Sequence, residues 1–61
     1  MKRRQLERHM KRHGCGLARE GSRHSIWRNL TTRETSAVPR HSEIADRLAQ
    51  KICKDLGIPP A

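Results

Sequence analysis

Gly21-Ser22-Arg23-His24-Ser25-Ile26-Trp27-Arg28-Asn29 is the stretch on which the fold turns. A glycine–serine turn signal leads into a run that alternates with a period of two. His24, Ile26 and Arg28 fall on one side of such a strand, and Ser25, Trp27 and Asn29 on the other. Trp27 is the one aromatic in a chain without Phe or Tyr. It is either the core's single large ring or a platform on which a nucleic-acid base could stack. In a chain so poor in aromatics, burial is the favoured reading.

Working outward, Leu30–Glu34 is polar enough for a hairpin loop. Thr35–Val38 is a third strand, stopped by Pro39, which has no N–H for a ladder. Before the turn, Gly16–Glu20 is a short strand, with Leu17 and Arg19 expected on one face and Ala18 and Glu20 on the other. Arg3–His13 reads as a helix with Leu6 and Met10 at i, i+4 and Gly14 as its left-handed terminator. The last element is a second helix. Ser42 is its expected N-cap, with Glu43 and Asp46 in the first turn. Ile44, Leu48, Ile52 and Leu56 recur at i, i+4, widened by Ala45, Ala49 and Cys53, and Gly57 ends the run before Pro59 and Pro60. The order is α-β-β-β-α, an α+β fold over residues 1–61 as a single domain. A three-stranded antiparallel meander with both helices on one face buries the apolar stripes and leaves the other face to solvent.

Charge is the strongest compositional feature. Fourteen Lys and Arg oppose six Asp and Glu, a net charge of +8. Residues 1–30 carry nine basic and two acidic side chains, and residues 31–61 five and four. A charge gathered in one segment points to a polyanion rather than to general solubility, and nucleic acid comes first. Arg3, Arg4, Arg8, Lys11 and Arg12 on the first helix are candidate RNA contacts, against the alternative of a merely solvated basic face. No signal peptide or apolar membrane run is seen, so the expected location is the cytoplasm, with no membrane partner. Cys15 and Cys53 lie far apart and are expected as reduced thiols.

The chemistry rests on four histidines. His9 and His13 have a metal-ligand spacing, and Cys15 and Cys53 could complete a set of four. No paired-ligand motif supports this, and six cations in the first twelve residues would repel a metal, so no metal or cofactor is expected. His41 is read as a packing residue at the strand-to-helix corner, with a secondary site role as the alternative. His24 is the candidate catalytic residue. Gly21 permits close backbone approach, Ser22 offers a hydroxyl, and Arg23 and Arg28 offer fixed positive charge. The bland alternative for His24 is an ordinary strand residue. No nucleotide-binding loop or Ser/His/Asp set is present, and scattered carboxylates give little support to a Mg²⁺ site.

The chain resembles the HicA family of toxin–antitoxin ribonucleases. The resemblance runs over nearly the whole chain, through Lys2-Arg3-Arg4-Gln5-Leu6, Gly21-Ser22-Arg23-His24, Val38-Pro39-Arg40-His41 and Lys51-Ile52-Cys53-Lys54-Asp55-Leu56-Gly57-Ile58. It implies a double-stranded-RNA-binding-domain-like α-β-β-β-α fold. It implies an mRNA-cleaving toxin, an endoribonuclease whose single family histidine falls on His24. It also implies a HicB-type antitoxin that binds the toxin and occludes its site. Cys15 departs from the family, since many relatives carry an aromatic residue there. The rival class is a non-catalytic basic RNA-binding module, which the fold and charge serve equally well. A third is a small subunit docking an acidic protein.

Overall fold

Strand β2 (His24–Asn29) is the centre of the computed structural model, which describes residues 1–61. It pairs antiparallel with β1 (Cys15–Glu20) on one side and β3 (Thr35–Pro39) on the other, giving sheet order β1-β2-β3. Helix α1 (Arg3–Arg12) precedes the sheet and α2 (Asp46–Leu56) follows it. The α-β-β-β-α order is therefore as the sequence implied, with β2 at its expected bounds, α1, β1 and β3 each differing by one residue at one end, and Pro39 included in β3 opposite His24 rather than stopping the strand before it.

One continuous core holds the layers together. Leu6 and Met10 of α1 meet Ala49, Ile52, Cys53 and Leu56 of α2 over Cys15, Trp27 and Val38 of the sheet. Because both helices share this cluster with one side of the sheet, both cover the same face. Trp27 is only 3% exposed, so its ring is core and not a stacking platform. Cys15 is buried in the same cluster beneath α1. Burial pushes both cysteine thiols above their ordinary pKa, which keeps them protonated and poorly nucleophilic. Asn29 ties the far end of β2 to the end of α2: its Nδ2 donates to the Leu56 carbonyl at 2.8 Å, and its Oδ1 accepts from the amides of Thr31 and Thr32. Gly57, at φ 71°, takes the left-handed turn that stops α2, and Ile58 follows it into the core.

Three expectations are corrected by the structure. Ser42 is not the cap of α2, and Glu43 is not in its first turn. The helix starts at Asp46, with Ala45 as its N-cap. Residues 42–44 instead run extended against residues 1–3. The Arg3 amide donates to the Ser42 carbonyl at 2.9 Å, the Ile44 amide donates to the Met1 carbonyl at 2.8 Å, and Lys2 lies 3.2 Å from the Glu43 carboxylate. Backbone groups engaged in this bridge cannot also open a helix.

The second correction follows from the first. Ile44 enters the core from the extended segment, not from the helix, so the stripe of α2 is Ala49, Ile52, Cys53 and Leu56. Ala45 and Leu48 are exposed. On the helical wheel Leu48 falls on the opposite flank of Ile52 from the other three.

The third concerns β1. Leu17 pairs with Trp27 but Arg19 pairs with Ile26, so Ala18 is an extra, bulged residue. Leu17 and Arg19, expected on one face, lie on opposite faces. Arg19 joins the open side with Ile26, and Glu20 joins the helix side with Ser25.

Candidate functional site

The hairpin between β1 and β2 places His24 at the rim of the sheet. The last β1–β2 pair is Glu20 with Ser25, so His24 has no β1 residue opposite it. Its cross-strand neighbour is Pro39 of β3. The Gly21 amide closes the turn by donating to the His24 carbonyl at 2.8 Å. A Cβ on residue 21 would sit 3.0 Å from that same oxygen, so glycine is what lets the turn fold so tightly. The His24 side is the face the helices do not cover, and the residue is exposed.

Around His24 lies an open hollow of about 420 Å³, lined by Ser22, Arg23, His24, Pro39, Arg40 and His41. Four candidates from the sequence, Ser22, Arg23, His24 and His41, thus come together at one end of the sheet. Arg28 does not join them. It lies four residues along β2, about 13 Å at the rise of a strand.

Arg40 was missed as a site residue. Its Nη2 donates to the Gly21 carbonyl, and it lies 3.4 Å from the Glu20 carboxylate. Glu20 also accepts a hydrogen bond from the Ser25 hydroxyl. Arg40 therefore braces the turn that carries His24 while lining the same hollow. Only the run Val38-Pro39-Arg40-His41 pointed toward it.

An exposed imidazole at the lip of a cation-lined hollow, on an α-β-β-β-α frame, is the setting in which kinship decides the reading. The family model described as the HicA toxin of bacterial toxin–antitoxin systems matches residues 3–58 of the chain. The chain belongs to the HicA toxin family. It is accordingly the toxin member of a toxin–antitoxin pair, and an antitoxin is its partner. No curated protein and no solved structure matches it.

The matched span of this HicA chain includes every candidate site residue. Arg3 and Arg4 line a second hollow with Lys2, Glu7 and Ser42, one residue along from His41. Arg8, Lys11 and Arg12 continue along α1 on the far side of the sheet from His24, with Arg8, Lys11 and Arg12 exposed. His9 donates from Nε2 to the Pro59 carbonyl at 2.7 Å, tethering α1 to the chain beyond α2. The rings of His9 and His13 lie 4.6 Å apart between centres, tilted 59° to each other, but Cys15 and Cys53 are sealed in the core. No three His, Cys, Asp or Glu side chains converge into a ligand set. No helix is long and apolar enough to cross a membrane.

Proposed function

We propose that this HicA toxin is an endoribonuclease that cleaves mRNA without a metal ion, using His24 as its acid–base group, and that a HicB-type antitoxin silences it by covering the hollow. The observation that carries the reading is the exposed His24 beside Arg23, Arg40 and His41 in one hollow. Neutral His24 takes the proton of a ribose 2′-OH. The 2′-oxygen attacks the adjacent phosphorus, the bond to the 5′-oxygen breaks, and a 2′,3′-cyclic phosphate remains. The leaving 5′-oxygen takes a proton from imidazolium, His41 or water. Arg23 and the free nitrogens of Arg40 supply fixed charge for the phosphate oxygens, in the forked geometry that lysine lacks.

The direct test is a single-stranded RNA with a 2′-deoxy substitution at a mapped cleavage position. The modified site should resist cleavage completely while neighbouring sites are cut, and EDTA should leave the rate unchanged. Cleavage at the deoxy position, or an absolute need for Mg²⁺ or Zn²⁺, would exclude the mechanism. RNA bound but never cut would leave the non-catalytic binding module in its place.

Arg40→Ala separates support from structure. Its ion pair is exposed, and such pairs contribute about 0.2–1 kcal/mol, so urea unfolding should change by no more than that. Cleavage should fall far more, about tenfold or beyond, because the brace on Gly21 and a phosphate contact go together. Equal, small losses in stability and rate would reduce Arg40 to a surface residue.

A further inference from the structure

We infer that the uncovered face of the sheet is a track for single-stranded RNA, leading from the His24 hollow along β2 to Arg28 and flanked by Arg19. The inference rests on the RNA reading above but does not need His24 to be catalytic. Strand register puts His24, Ile26 and Arg28 in one row on this face, with Arg19 beside Ile26 and with Ala37 and Pro39 on the other flank.

The electrostatics of that face are one-sided. Arg19 pairs with no carboxylate, nor does Arg28. Every acidic side chain is placed elsewhere. Glu7 faces Arg3, Glu20 turns toward Ser25 and Arg40, Glu43 faces Lys2, and Asp55 faces Lys51. Asp46 begins α2 and Glu34 lies against Gly57. The bulge at Ala18 contributes directly, since it brings Arg19 to this side and sends Glu20 to the other.

Spacing gives Arg28 its role. At about 13 Å along the strand from His24, it is out of reach of the phosphate being cleaved. It is placed to hold a phosphate farther along the same RNA strand. Between them, half-buried Ile26 with Ala37 forms a low apolar floor for bases. The one aromatic ring, Trp27, faces the helices, so the floor has no stacking platform. Contacts made by charge to the backbone carry no sequence information, so the track should grip RNA with little base preference. The basic row of α1 faces away from the sheet on its covered side.

The test uses protein carrying His24→Ala, so that cleavage cannot consume the probe, and a fluorescein-labelled single-stranded oligoribonucleotide followed by anisotropy over a salt series. With R19Q/R28Q added, affinity should weaken on the order of tenfold or more, and the slope of log K against log salt should fall by about 1.4, two phosphates at ~0.7 each. R19K/R28K should restore most of the slope, because charge is kept. R8Q/R12Q should change affinity by less than about threefold. Far-UV CD of each protein establishes that the folds match. Intact affinity in R19Q/R28Q overturns the track, whether the lost affinity appears in R8Q/R12Q or the face proves to bind the antitoxin instead. Loss of affinity and slope in R19Q/R28Q as described, with a wild-type chain that never cuts RNA, would keep the track and discard the ribonuclease.

Discussion

His24→Ala is expected to abolish detectable RNA cleavage. A positioned acid–base group contributes about 10²–10⁴-fold, and the hollow holds no other group placed as directly on the rim of the sheet. The fold should not notice the change. His24 is exposed, its side chain makes no hydrogen bond that holds the turn, and the tie to Gly21 runs through its backbone carbonyl. Far-UV CD and urea unfolding should match the parent, and antitoxin binding should persist. Undiminished cleavage would remove His24 from the chemistry, and collapse of the fold would make it a structural residue.

Leu6→Ala should produce the largest loss of stability. Leu6 is fully buried at the contact between α1 and the rest of the core. Truncating such a leucine costs about 2–5 kcal/mol. A domain of this size has only about 3–9 kcal/mol in total. The variant should therefore be largely unfolded at 37 °C by CD, and it should regain helix when the antitoxin is added, since a partner that binds only the folded form stabilises it by mass action. Leu48→Ala is the control, because Leu48 lies outside the stripe, and it should stay within about 0.5 kcal/mol of the parent. Reversal of that order, with Leu48 costly and Leu6 cheap, would mean that α2 is rotated from the orientation described.

Where the sequence spoke through periodicity it was legible. The alternation from His24 to Asn29 gives a strand with Trp27 inward, and that is where the ring lies. Leu6 and Met10 alone located the buried side of α1. Pairings between distant segments left no local sign. Ser42 has every local attribute of a cap, but residues 42–44 are occupied by a bridge to residues 1–3, forty residues earlier in the chain. Leu48 continues an i, i+4 series that would be the stripe if the helix began where Ser42 suggested. Nothing in Cys15–Glu20 marks Ala18 as the extra residue, because its lodging depends on the register against β2. Arg40 is invisible for a similar reason: its partner is a backbone oxygen on Gly21, and carbonyls have no letter in a sequence. At the site, the glycine-led turn and the histidine after it could be read directly, while the arginine that steadies them could not.

The single surplus residue in β1 has a consequence for how this edge tolerates change. It acts as a parity switch, inverting the inside–outside count for everything between it and the hairpin. Were Ala18 taken up into a regular ladder opposite Ile26, Arg19 would turn toward Ser25 and Glu20 would pass the end of its register. A guanidinium would be withdrawn from the exposed side, and the Glu20 anchor of Arg40 and Ser25 would be lost with it. A slip of one residue would thus rewire both surfaces at once, whereas excision of Ala18 itself leaves Arg19 opposite Ile26 and Glu20 opposite Ser25.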